Sequence, residues 1–338
     1  MLPENKEEAL ELYEYATKNK IGLAYLESLK DQERLEEFGL KGKYEEEKKK
    51  HDEQQVTASR ISELFNSHGI NYAIFKSVMP FPATPNDVDI IHFGSNDEFN
   101  KAAKMMLQSG YIEVKPKADS LQREFHDAKR GGYINPHPHE KDIYDIDLYQ
   151  ETAASYLVYL DKIKLTKHVV EINIRGNHLR VLKPEAELVA IITHSIIPEQ
   201  LFTLLAYYAT LYYLADRNFN IDEFIHIAKE NNVTYPVRVH STLTVALHEI
   251  AHGFIPEKLN EILNELGNDD KELRCFISND LKMPHRYSIR ALVRTVVEKL
   301  KERVFRRSLI KQIIGMSNPR LAKWVIENII WRRRRETY

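Results

Sequence analysis

Two pairs of aspartates, each pair separated by one apolar residue, have side chains that could hold a metal ion. Asp87 and Asp89 form the first pair, and Asp145 and Asp147 form the second. In a β-strand, residues i and i+2 share a face, so each pair presents two carboxylates on one side. Carboxylate oxygens are preferred ligands of hard cations such as Mg²⁺ and Mn²⁺. The spacing predicts a divalent metal site where two such strands are neighbours.

The chemistry of such a site suits phosphoryl transfer. Two metal ions held by carboxylates can clamp an attacking hydroxyl and a leaving pyrophosphate. The chain has 50 acidic residues among 338, so several pairs with this spacing occur by chance. These two pairs differ because each sits in an otherwise apolar strand, where like charges cost stability unless a cation neutralises them.

A second motif with metal-binding spacing occurs further along the chain. His248, Glu249 and His252 form a His-Glu-x-x-His sequence. On a helix, positions i and i+4 share a face, so the two histidines could bind Zn²⁺ while the glutamate acts as a general base. A catalytic zinc site needs a third protein ligand, and the sequence singles out none. A zinc metallopeptidase is therefore the alternative function.

Charge is distributed unevenly. From residue 282 to the end there are 16 Lys and Arg against 4 Asp and Glu, a net +12, so the preceding residues carry −14 of the overall −2. A basic stripe with aromatic residues suits contacts with RNA phosphates and bases. The arginines expected to make these contacts are Arg286, Arg290, Arg294, Arg332, Arg333, Arg334 and Arg335.

The hydrophobic periodicity divides the chain into three regions. Residues 1–67 predict an N-terminal helical region, 68–183 an α/β core, and 184–338 a C-terminal helical domain with a basic tail. In the core, a short strand over 72–75 precedes Lys76 and Ser77, and a proline-rich loop leads to a strand over 87–93. A helix over 96–109 and a strand over 143–149 follow. From Pro184 onward, the pattern predicts helices throughout.

The order of these motifs resembles a known family. The segments 72–77, 87–91, 146–149 and 180–188, with the helix that ends before Gly110, are similar to nucleotidyltransferases of the polymerase-β superfamily. The members closest in pattern have an N-terminal helical region and a Lys-Gly pair before an Asp-x-Asp motif. The resemblance extends over residues 8–265. It implies a nucleotidyltransferase fold, a mixed sheet flanked by helical regions.

The resemblance also implies roles for individual residues. Asp87 and Asp89 would hold Mg²⁺ or Mn²⁺, and Asp147 would be the third carboxylate, with Asp145 as its rival. Lys76 and Ser77 would lie where the nucleotide phosphates bind. The implied reaction transfers a nucleoside monophosphate from an NTP, such as ATP, to an acceptor hydroxyl. RNA, including tRNA, is one candidate acceptor, and a non-catalytic nucleotide- or RNA-binding relative is a further alternative.

Composition limits where the protein functions. The longest uncharged, mostly apolar run, 201–215, has 15 residues, whereas a bilayer-spanning helix needs about 20. We therefore expect no membrane association. The single cysteine, Cys275, excludes a disulfide framework and fits a reducing compartment. The sequence predicts a cytoplasmic protein.

Overall fold

The computed structural model describes residues 3–83, 87–113, 121–127, 145–154, 156–174, 176–317, 319, 322 and 323. Within these residues, a seven-stranded mixed sheet is combined with helices before, within and after it. The predicted mixed α/β fold is therefore confirmed. None of the described helices has the length and apolar character needed to cross a bilayer.

The described helices fall mainly in the N- and C-terminal parts of the chain. They are α1 (Lys6–Lys18), α2 (Gly22–Lys30), α3 (Lys41–Ser67), α4 (Asn96–Gln108), α5 (Lys162–Leu165), α6 (Pro184–His194), α7 (Leu204–Ala215), α8 (Ile221–Glu230), α9 (Thr234–His252), α10 (Glu257–Leu266), α11 (Asp270–Ser278), α12 (Ile289–Lys299) and α13 (Arg303–Gly315). A 3₁₀ turn covers Thr166–His168 and a π-helical turn covers Ser195–Glu199.

Local sequence explains where the helices next to the site begin. At α4, the Ser95 hydroxyl accepts a hydrogen bond from the Glu98 amide while the Glu98 carboxylate accepts one from the Ser95 amide, so a full capping box is present. At α6, Pro184 occupies the first turn, where its missing N–H costs nothing. These signals fix helix starts immediately after β2 and β9, the two strands that flank β1.

The described strands are β1 (Tyr72–Ile74), β2 (Asp87–His92), β3 (Tyr111–Glu113), β4 (Gln122–Asp127), β5 (Asp145–Tyr149), β6 (Thr152–Ala154), β7 (Leu157–Leu160), β8 (Val169–Ile174), β9 (Asn177–Leu182), β10 (Leu201–Phe202) and β11 (His285–Arg286). The large sheet has the order β3-β4-β5-β2-β1-β9-β8. The β2–β5 and β1–β9 pairs are parallel, and the other neighbours are antiparallel.

Two features differ from the sequence-based expectation. The β6–β7 hairpin was not predicted, and a two-stranded sheet of β10 and β11 lies in the region expected to be wholly helical. Each of these last two strands has only two residues, too few to show an alternating pattern. The proposed boundaries at 67/68 and 183/184 remain predictions, although α3 ends at Ser67 and α6 begins at Pro184.

The two faces of the sheet pack against different apolar clusters. Val88 and Ile90 of β2, with Ile146 and Leu148 of β5, join one cluster together with residues of α3 and α4. Ile91 belongs to the other cluster, which includes residues of α6, α7 and α8. The strand alternation therefore directs the aspartates away from the first cluster, as the sequence predicted.

Helix α3 ties the loop that follows β1 to the start of β2. The buried Gln54 side chain donates from Nε2 to the carbonyl of Ser77 at 3.1 Å and to the carbonyl of Asp87 at 3.2 Å. Buried carbonyls without a partner are costly. One glutamine thus fixes the spacing of the two segments that carry the candidate site.

Gln54→Leu should lower the free energy of unfolding by about 2–3 kcal/mol, because it removes a donor from the buried carbonyl of Ser77 and from the partly buried carbonyl of Asp87. The adjacent Gln55→Leu provides the control, since Gln55 is half-buried and its amide contacts His51 of the same helix. Urea unfolding followed by circular dichroism measures both variants. Equal losses in the two would contradict the tether role of Gln54.

Candidate functional site

The register of β2 and β5 determines the candidate site. The strands run parallel with Asp87 opposite Asp145 and Asp89 opposite Asp147. Neighbouring strands lie about 4.8 Å apart, so aspartates on the same face are brought close together. Asp87, Asp89 and Asp147 each offer an oxygen, and these oxygens lie within 4.8 Å of one another. The side chain of Asp145 is outside the described part of the structure, and its rival role remains untested.

Asp147 lies in a buried and strongly negative environment. Burial, followed by the charges of Asp87 and Asp89, raises the pKa of its carboxyl well above the ordinary value. Gln122 on β4 donates to Asp147 Oδ2 at 2.7 Å, and the Tyr149 hydroxyl lies 3.3 Å from the same oxygen. Two neutral donors hold this carboxyl without cancelling its charge.

Asp89 is held by contacts with Ser77 and Lys76, and one of its carboxylate oxygens has no hydrogen-bond partner among the described residues. Its backbone N–H donates to the Ser77 hydroxyl at 2.7 Å, and its Oδ2 lies 3.1 Å from the Lys76 ammonium. Its other oxygen, Oδ1, is buried and has no hydrogen-bond partner among the described residues. A buried carboxylate oxygen without a partner is costly, and a bound cation would satisfy it.

Lys76 has an unusual backbone conformation. Its φ angle is +58°, a left-handed region that residues other than glycine seldom adopt. Its backbone N–H donates to Glu187 Oε1 on α6 at 2.5 Å. Burial opposes the charge on the ammonium, but Asp89, Tyr159 and Asp87 together raise the pKa of Lys76 above its ordinary value. Lys76 is therefore a buried cation directed at the carboxylate cluster.

Helix α6 supplies two further residues that the sequence did not assign to the site. Burial raises the pKa of Glu187 to about 8. His194 Nδ1 lies 3.2 Å from the Lys76 ammonium and 3.1 Å from the Tyr159 hydroxyl. Since both groups donate, we assign Nδ1 as the unprotonated nitrogen. Burial and the Lys76 charge lower the pKa of His194 in agreement with this assignment.

His194 lies on an apolar helical stripe of the sequence, which predicts core packing, and Glu187 stood only within the segment 180–188 of the family resemblance, with no role assigned. Only the parallel β1–β9 pairing, with Ile74 opposite Val181, brings the start of α6 near Lys76. Gln122 was missed for a related reason, because its role depends on the antiparallel β4–β5 register.

The residues of the His-Glu-x-x-His motif lie near the end of α9. His248 is buried, and its Nδ1 lies 3.0 Å from the carbonyl oxygen of Phe254, while Glu249 and His252 are exposed. The two imidazole rings approach to 4.5 Å between centroids. Within the described ranges, the aspartate cluster is the one group of three or more potential metal ligands, so this motif gains no third ligand there. The peptidase alternative thus lacks a requirement of a catalytic zinc site.

The basic stripe is partly neutralised within the protein. Arg290 and Arg294 both face Asp269, at 2.8 and 3.9 Å. Arg286 forms part of β11. Arg332, Arg333, Arg334 and Arg335 fall outside the described residues. The RNA-contact role of the stripe therefore remains a prediction.

A match to a known protein family agrees with the resemblance found in the sequence. The crystal structure of an antigenic nucleotidyltransferase-like protein from Paracoccidioides brasiliensis aligns with 14% identity over 67% of this chain and 91% of its own, with a TM-score of 0.32. No curated protein sequence matches the chain. The sequence profile of a family described as an uncharacterised nucleotidyltransferase matches residues 5–248. Because this match covers well over half of the 338 residues, the chain belongs to that nucleotidyltransferase family.

Proposed function

We propose that the protein transfers a nucleoside monophosphate from an NTP to an acceptor hydroxyl in a reaction that requires a divalent metal ion. The observation that carries the proposal is the convergence of Asp87, Asp89 and Asp147 within 4.8 Å, with Lys76 directed at the same cluster. Family membership supports the reaction class. We also propose that the reaction takes place in the cytoplasm, where NTPs are available.

The residues present fit Mg²⁺ or Mn²⁺. All three candidate ligands are carboxylates, the type that hard cations prefer. The partnerless Asp89 Oδ1 and the raised pKa of Asp147 both indicate a cluster with more negative charge than the described protein groups satisfy. Asp87, Asp89 and Asp147 would hold the ion, which would polarise phosphate oxygens and neutralise their charge.

The chain's own groups account for the other requirements of the reaction. Asp147 would accept the proton of the acceptor hydroxyl as that oxygen bonds to the α-phosphorus. The bond from the α-phosphorus to the bridging oxygen breaks, and pyrophosphate leaves with the electron pair. Lys76 would stabilise negative charge on the phosphates. We propose that Ser77 contributes mainly by holding the Asp89 backbone, since its hydroxyl already accepts that N–H.

RNA is the acceptor that the charge distribution favours. The last 57 residues carry the net +12, and four consecutive arginines near the end offer a phosphate-binding segment. In the described region, Arg290 forms a close ion pair with Asp269, whereas 51% of the Arg294 side chain is exposed to solvent. Arg294 and the terminal arginines are thus the better candidates for contact with phosphates.

Asp89→Asn should reduce transfer of label from α-³²P-NTPs to total RNA by at least about a thousandfold, because it removes one charged metal ligand while preserving side-chain size. Asp87→Asn and Asp147→Asn should have similar effects. Each labelled NTP is incubated with protein, Mg²⁺ and RNA, and the products are resolved on a denaturing gel.

Asp97→Asn is the matched control for this assay, since Asp97 is an exposed carboxylate in the first turn of α4. It should retain full activity. Transfer that survives Asp89→Asn would contradict the site assignment. NTP binding without any transfer, to RNA, protein or small-molecule hydroxyls, would instead favour a non-catalytic relative.

Replacing Arg332, Arg333, Arg334 and Arg335 with serine should weaken RNA binding by at least about tenfold and flatten its salt dependence, because up to four phosphate contacts are lost. Filter binding across a series of NaCl concentrations measures both quantities. Arg290→Ser is the single-site comparison and should have a small effect, since its guanidinium pairs with Asp269. An unchanged affinity in the quadruple variant would count against RNA as the partner of the tail.

A further inference from the structure

The Lys76 ammonium already neutralises one of the carboxylates that a metal ion would bind. It lies 3.1 Å from Asp89 Oδ2, and both residues are nearly fully buried, with 8% of Lys76 and 4% of Asp89 exposed. Solvent screens such a pair far less than a pair on the surface. Asp89, one of the three converging carboxylates, is therefore neutralised by a cation of the protein itself.

The position of Lys76 is fixed by its surroundings. The left-handed backbone at φ +58° is unfavourable for lysine and is maintained by the hydrogen bond from its N–H to Glu187. Glycine would adopt this conformation without strain. The presence of a strained lysine here indicates that its side chain contributes something that glycine could not supply.

The ammonium also has partners outside the cluster. His194 Nδ1 lies 3.2 Å from Nζ, and the rings of Phe75 and Tyr149 lie 4.8 and 5.5 Å from it. A neutral imidazole nitrogen and two aromatic rings are favourable neighbours for a cation. Lys76 can therefore release Asp89 Oδ2 while its charge remains solvated by the protein.

We propose that Lys76 is the resident counter-ion of the carboxylate cluster and competes with divalent metal ions for Asp89. This inference rests on the proposed function, since it concerns the metal site of that reaction. Lys76 reduces the electrostatic repulsion among the buried aspartates and lowers their affinity for free metal ions. The site thereby favours a metal ion that arrives with an anionic nucleotide, whose phosphates offer the ammonium another partner.

The test is the affinity of the metal-stripped full-length protein for Mn²⁺ in the absence of nucleotide, measured by the electron paramagnetic resonance of free Mn²⁺. Lys76→Gln removes the charge but keeps a donor for Asp89. It should bind Mn²⁺ at least about tenfold more tightly than the unmodified protein, since a nearby positive charge is lost. Lys76→Arg keeps the charge and should stay within about threefold.

Lys162→Gln is the matched control. Lys162 is equally buried, with 8% exposed, but its ammonium donates to the Gly94 carbonyl beyond the end of β2. It should leave Mn²⁺ affinity unchanged. Asp89→Asn should weaken binding in every background, which assigns the signal to this cluster.

Unchanged or weaker Mn²⁺ binding in Lys76→Gln would overturn the inference, and weaker binding would show instead that Lys76 orients Asp89 for the metal. Lys76→Met is a second neutral variant with the same expected outcome if the glutamine variant does not fold. The label-transfer assay judges the proposed function separately. Transfer that depends on Asp89, together with unchanged Mn²⁺ affinity in Lys76→Gln, would refute the counter-ion role alone.

Discussion

The parallel pairing of β2 with β5 places Asp89 directly opposite Asp147 on one face of the sheet. Like charges opposite each other destabilise a sheet, and burial makes the cost larger because solvent no longer screens them. The opposite face of the same two strands packs in an apolar cluster with α3 and α4. A shift of register by one residue would bury the aspartates in that cluster, so the hydrophobic packing enforces the convergence of charge.

The surrounding groups reduce this cost without removing it. Lys76 supplies one positive charge, Gln122 donates to Asp147, and the Asp89 backbone is fixed by Ser77. These partners come from the β1–β2 loop and from β4, and α6 and α3 hold that loop in place. The repulsion between the aspartates of β2 and β5 is therefore reduced by residues from several other elements of the core. A buried carboxylate cluster in which one oxygen has no partner among the described residues is typical of a site that binds a cation.

The sequence predicted those parts of the site that depend on local strand patterns, but not those that depend on strand order and register. Alternation within single strands placed Asp87 with Asp89, and Asp145 with Asp147, on a common face, because side-chain direction is a local property. The choice of Asp147 as the third carboxylate and the role of Lys76 both came from the resemblance to a known family. The contributions of Glu187, His194 and Gln122 depend on strand order and register, which no local pattern encodes. The His-Glu-x-x-His motif shows that a correct local pattern is not sufficient for a site. Its two histidines lie on a helix as predicted, but the described structure provides no third ligand.

The central claim is that Asp87, Asp89 and Asp147 act together as one divalent metal site. Crystals soaked with Mn²⁺ and a non-hydrolysable NTP, measured at the manganese absorption edge, test it directly. We expect an anomalous difference peak between these carboxylates, at oxygen distances of about 2.1 Å as expected for a small hard cation, with the α-phosphate beside it. Bound nucleotide without such a peak, or manganese located only elsewhere on the protein, would contradict it.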